Sequence, residues 1–144
     1  MQSRKLSGVM SMVALCGLLS LAGCLHAPRD ADHVAVARID GQVLTLPEME
    51  HAIRYAVTKE QWDQLEQVAP GHYVATRILD PGKVYASVDI LYTAADFSVH
   101  YKASAGLRYD PRQQVIGSRY QAMVEALVER IRDVADETGI PMQP

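Results

Sequence analysis

The sequence predicts an α+β domain: an antiparallel meander of three to four strands with two helices packed on one face, in the order α-β-β-β-β-α. Two stretches, near 46–58 and 118–135, repeat apolar residues at helical spacing. Between them lie β-branched and aromatic runs that alternate apolar with polar residues and are separated by turn residues. Composition is the third observation. A chain of 144 residues, 49% apolar and 22% charged, supplies one core. The same figures exclude other classes. Two cysteines cannot build a disulfide-dense scaffold or a four-cysteine zinc site. Nor do 14 Lys+Arg against 17 Asp+Glu make a basic nucleic-acid binder.

The domain is expected over residues 36–138. Before it, residues 26–35 mix charge, proline and small residues without periodicity, the signature of a flexible tether. Val34 to Ile39 is a short β-prone run, and Asp40-Gly41 is a turn before Gln42-Val43-Leu44, so a short hairpin fits. Thr45-Leu46-Pro47-Glu48 opens the first helix: Thr45 caps, Glu48 completes a capping box and Pro47 suits the first turn. Met49, Ala52, Ile53, Ala56 and Val57 make its apolar stripe, and the helix ends near Thr58 or Lys59. Trp62 to Val68 admits two readings. Its helix formers favour continuation, whereas Pro70-Gly71 fits a strand-turn-strand, which is preferred. Strands follow at Tyr73–Leu79, Val84–Tyr92 and Phe97–Lys102, with Asp80-Pro81-Gly82 and Thr93 to Asp96 between them. The second helix runs from about Ser118, its expected cap, to Ala135. Tyr120, Met123, Val124, Leu127, Val128, Ile131 and Val134 line its apolar side. Glu125–Glu129 and Glu129–Asp133 are like-charged neighbours, so packing rather than charge must hold it. Gly139 is a natural stop, and the segment 139–144 reads as a frayed end.

The N-terminus carries an address. Arg4 and Lys5 precede Leu6 to Cys24, a run with 13 apolar residues among 19 and no charge. It closes on Leu21-Ala22-Gly23-Cys24, which resembles the bacterial lipobox. In that motif the signal peptide is cut just before the cysteine and lipid joins its thiol. The resemblance implies removal of residues 1–23 and an acylated (palmitate-type) Cys24 leading the segment 24–35. Leu25 stands where lipoproteins kept at the inner membrane commonly have Asp, so the resemblance implies the outer membrane, facing the periplasm. Removing 23 of 144 residues leaves 121 and discards Cys16, Arg4 and Lys5. The balance becomes 12 cationic against 17 anionic side chains, a net −5. Such a chain is mildly repelled by nucleic acid and anionic lipid, so membrane attachment falls to the acyl chains, at ~0.8 kcal/mol per buried methylene.

Two further likenesses bear on the domain. Val99-x-Tyr101-x-x-Ser104-x-x-Leu107-x-Tyr109-Asp110, Ile116, and Tyr120-x-x-Met123-Val124-x-x-Leu127-x-x-x-Ile131 resemble a group of small uncharacterised Gram-negative lipoproteins and exported proteins. Trp62 and Pro70-Gly71-x-x-Val74-Ala75-Thr76 extend the likeness over Pro47 to Val134 and favour a strand at 62–68. This chain departs from the group at Gly117, Gln121 and Met123, where the group has His, Asn and Trp. A function resting on those side chains would be missing here. The run Val36-Ala37-Arg38-Ile39-Asp40-Gly41-Gln42-Val43-Leu44-Thr45-x-x-Glu48-Met49 is similar to the opening of parvulin-type periplasmic foldases. It covers 14 residues and reads as shared strand-turn-helix chemistry.

Motifs for catalysis are sparse. His26, His33, His51, His72 and His100 are dispersed, with no H-x-x-x-H pair, so neither a metal site nor a cofactor is expected. Ser87, Ser98, Ser104 and Ser118 lie in no G-x-S-x-G context, and no glycine-rich loop is built to cradle phosphate. The expected binding face is the open side of the sheet, bearing Tyr73, Arg77, Tyr85, Asp89, His100 and Lys102. Tyr and Arg recur in binding surfaces. Its competitor is an ordinary solvated face with cross-strand ion pairs. The expected function is a non-enzymatic, lipid-anchored envelope module for binding or assembly, with an envelope protein, peptide or glycan as partner and no nucleic acid. The alternative is a chaperone-like or enzymatic factor acting on exported polypeptides.

Overall fold

The computed structural model describes residues 25–28 and 30–138. The expected signal peptide, the lipidated Cys24 and the frayed 139–144 segment with Gly139 lie outside the described residues. The elements run β1 (Leu25–His26), β2 (Ala31–Ala35), α1 (Leu46–Lys59), β3 (Gln64–Ala69), β4 (His72–Asp80), β5 (Val84–Tyr92), β6 (Asp96–Ala105), β7 (Ile116–Gly117) and α2 (Ser118–Glu137). The class is α+β. Its main sheet has five antiparallel strands in the order β2-β6-β5-β4-β3, and β1 pairs with β7 in a separate two-stranded ribbon.

The strand count exceeds the expected meander because the segment before the domain is itself strand. Leu25 and His26 lie opposite Gly117 and Ile116, and Ala31–Ala35 forms an edge beside β6. In place of a flexible tether the chain adds an edge strand, and the expected 34–44 hairpin is reduced to the Asp40-Gly41 turn, closed by the Arg38 N–H on the Gln42 carbonyl at 2.9 Å. There the Gly41 N–H reaches the Arg38 carbonyl at 2.8 Å. The unmet backbone groups of β6 offered a better partner than water, a gain that local periodicity does not reveal. Because β2 and β3 occupy opposite edges, α1 carries the chain across the sheet.

Helix α1 follows its sequence closely. The Thr45 side chain accepts the Glu48 N–H at 3.4 Å, and a Glu48 carboxylate oxygen accepts the Thr45 N–H at 2.7 Å. Leu44 and Met49 flank this box and are buried in one core, the placement of a hydrophobic staple. The α1 stripe is fully buried. Helix α2 buries Tyr120, Met123, Val124, Leu127, Ile131 and Ala135, with Val128 and Val134 partly covered. Its N-cap is Gly117, with no side-chain capping bond, in place of Ser118. Gly117 sits in β7, and a Cβ there would lie 2.9 Å from the Leu107 carbonyl oxygen, so the ribbon rather than a hydroxyl starts this helix.

The stretch at 62–68 resolves as strand β3, and Trp62 is buried just before it. The turn at Pro70-Gly71 places Gly71 at φ +74°, with its carbonyl receiving the Tyr92 N–H at 2.9 Å. Both helices and one face of the sheet share a single core that includes Ala75, Ala86, Val88, Ile90, Phe97 and Val99. Each fully buried large side chain there contributes about 1.5–3 kcal/mol.

Candidate functional site

The register decides which side chains share a face. Tyr73 pairs with Ile90, Ala75 with Val88 and Arg77 with Ala86, so Tyr73 and Arg77 sit on the helix-covered side. Both leave the expected open-face cluster. Tyr85, Asp89, His100 and Lys102 remain there. They are joined by His72, Thr76 and Ser87, which are not among the six residues of the expected cluster. The error is one of parity. In β4 both faces carry apolar residues (Ala75 and Leu79 on one, Val74 and Ile78 on the other), so alternation does not name the buried side. The partner strand does, because Ile90 and Val88 are completely buried.

On the open face Asp89 is the hub. One of its oxygens lies 2.7 Å from His72 Nε2 and 3.3 Å from Lys102 Nζ. A carboxylate only accepts, so His72 presents Nε2–H to it. His100 sits directly across from Asp89. Its ring nitrogens lie at ion-pair distance from Asp30 (3.3 Å) and Asp32 (3.2 Å). Beside it His33 Nδ1 lies 3.1 Å from Asp96, whose acidity is strengthened by the Thr93 hydroxyl and then by His33. Thr76 and Ser87 hydroxyls meet at 2.6 Å, and no hydrogen bond joins either to His72 or His100. The two histidines therefore stand in carboxylate pairs rather than beside a nucleophile. Among the described residues no group of three or more His, Cys, Asp or Glu is arranged to hold a metal. At the end of this face a concavity of about 230 Å³ is lined by residues including Asp32, His33, Leu91, Asp96, Ser98 and His100. The face can offer a polar ligand alternating acceptors and donors, framed by the exposed Tyr85 and Leu91.

Tyr73 has a different role. Its ring stacks on Tyr92 at 5.2 Å, and its hydroxyl accepts hydrogen bonds from Arg54 Nε and Nη2 at 3.1 and 2.8 Å. Tyr92 donates its hydroxyl to Glu50 at 2.9 Å and accepts from Gln67 at 3.3 Å. Burial, and then the bond to Glu50, push the Tyr92 hydroxyl well above the ordinary tyrosine range. The bond to Tyr73 raises the Arg54 guanidinium pKa further. These five residues fasten α1 to β3, β4 and β5. Asp30, Asp32 and His33 come from a segment whose composition reads as tether, so its share of the open face carries no local signal.

No protein-family model, curated protein or solved structure matches this chain. No described helix is long and apolar enough to cross a membrane.

Proposed function

We propose that this protein is a lipid-anchored module of the bacterial cell envelope, non-enzymatic and periplasm-facing, that binds or assembles an envelope partner through the open face of its sheet. The observation that carries the anchor is Leu21-Ala22-Gly23-Cys24 closing an uncharged apolar run after Arg4 and Lys5. The binding role is supported by the open face, where His72, Asp89, Lys102 and His100 form a preset line of charged and hydrogen-bonding groups beside exposed Tyr85 and Leu91. Tyrosine beside a few fixed polar groups is a composition that interfaces favour.

The test is in-cell photocross-linking of the full chain from a probe at Tyr85, with a probe at Glu129 on α2 as control. A partner captured at Tyr85 and not at Glu129 is expected. Its yield should fall at least fivefold when Asp89 and Lys102 are both changed to Ala. Equal capture from both positions, or a yield unchanged in the double variant, would overturn the face assignment.

A further inference from the structure

We propose that the outer edge of β6 from His100 to Ala105 accepts an extended, basic polypeptide segment as an added strand. This deepens the reading of the chain as a binding module and does not depend on the anchor.

Among the described residues, strand pairing covers only half of this edge. Strand β6 is ten residues long and pairs with β5 from Phe97 to Ala105. On its other side β2 reaches only Asp96, Phe97 and Val99. Past Val99, no described strand pairs with that side of β6. The Tyr101 N–H is met instead by a side chain, the Asp30 carboxylate, at 2.9 Å. Residues 100–105 are all partly or fully exposed. A row of backbone donors and acceptors at strand spacing is matched by another extended backbone, which is the basis of strand addition. Proteins deter indiscriminate pairing with bulges and lysines, and β6 has both: a bulge opposite Ser87/Val88, and Lys102. The Lys102 ammonium, however, is turned onto the face toward Asp89.

Selectivity comes from what flanks the edge. A concavity of about 310 Å³ beside it is walled by Pro28, Asp30, Tyr101, Tyr109 and Gln114. Tyr109 stacks on Tyr101 at 4.7 Å. The loop presenting Tyr109 is fixed in an unusual shape. Arg108 and Gln114 hold φ of 61° and 52°, and an Asp110 carboxylate oxygen accepts the N–H groups of Arg112 and Gln113. Residues other than glycine keep such backbone angles only where their surroundings impose them, so the tyrosine pair is a preformed wall. One flat side chain of the added segment, aromatic or proline, would stack there. Charge sets the rest. Asp30 and Asp32 share the single imidazole of His100, while Lys102 is engaged with Asp89. Among the described residues beside the edge, two carboxylates thus face one imidazole, which favours Lys or Arg in the segment and disfavours acidic ones.

The experiment measures fluorescence anisotropy of the full chain with a labelled decapeptide of alternating Val and Lys carrying one central Tyr. Saturable binding is expected. It should weaken at least tenfold when alternate peptide amides are N-methylated, when every Lys is replaced by Glu, and in the Tyr109→Ala protein. Circular dichroism checks that this variant folds, and the N-methylated peptide needs no variant at all. Undiminished binding of the N-methylated peptide, or no saturation up to millimolar concentration, would overturn the edge assignment. If a partner is still captured from Tyr85 in that event, the edge proposal alone fails and the module reading stands.

Discussion

Tyr120 illustrates how a buried polar atom can weigh against a fold. Its ring packs edge-on against Tyr101 at 5.5 Å, and its hydroxyl is buried with no hydrogen-bond partner. Burial, with Asp30 adding to it, drives that hydroxyl well above the ordinary tyrosine range. Removing an unmet buried donor removes its desolvation cost, so Tyr120→Phe should raise the stability measured by urea denaturation by about 1 kcal/mol. A fall of that size would show that the hydroxyl has a partner in solution. Leu127→Ala on the same helix should instead cost about 2–5 kcal/mol, because it opens a cavity in a packed core. The pH consequence has a definite sign. Tyr92 and Tyr120 titrate above their ordinary value of 10.0. Below that pH both hydroxyls are neutral in folded and unfolded chains alike, and above it the unfolded chain ionises first, so stability falls as pH rises. Thermal melts above pH 10 should therefore fall steeply for the natural chain and less steeply for Tyr120→Phe.

Helix α1 and strand β4 mark the two extremes of what a local pattern reveals. For α1, the cap, the capping box and the stripe Met49, Ala52, Ile53, Ala56 and Val57 were all legible, because i,i+3,i+4 spacing and Thr-x-x-Glu chemistry are local. Thr45→Ala should cost about 0.5–2 kcal/mol in chemical denaturation. The backbone and side-chain hydrogen bonds from Thr45 lower the Glu48 pKa below its ordinary 4.5. Glu48 thus stabilises the fold above that pH, and its contribution is lost as pH falls through the lowered value. Thr45→Ala keeps the backbone bond to Glu48 and removes the hydroxyl one, so it should partly flatten the loss of stability as pH falls below about 4.5; a steeper loss would refute the hydroxyl's share. Strand β4 is legible as a strand, but which of its faces is buried is not. Its two faces are nearly equal in apolar content, so only pairing with β5 assigns Tyr73 to the core and His72 to the open side.

For the molecule as a whole, the N-terminal motif makes the boldest claim. Labelled palmitate should enter the natural chain and not Cys24→Ser, with the unmodified variant retaining its full length in whole-cell immunoblots. Label in Cys24→Ser, or none in the natural chain, would sink the anchor. The candidate site was legible in part. Tyr85, Asp89, His100 and Lys102 could be placed on one face because β5 and β6 alternate cleanly, whereas Asp30, Asp32 and His33 reach that face from a segment 63 to 71 positions away in sequence from the β6 residues they meet. By itself the sequence determined the α+β class, both helices and their buried stripes, and the three strands with strong β character, since each depends on periodicity within one element. Only the tertiary structure decided that residues 31–35 become an edge strand, that Gly117 rather than Ser118 caps α2, and that Tyr73 and Arg77 turn inward. Those outcomes depend on which backbone edge or buried face lies opposite, and that partner is distant along the chain.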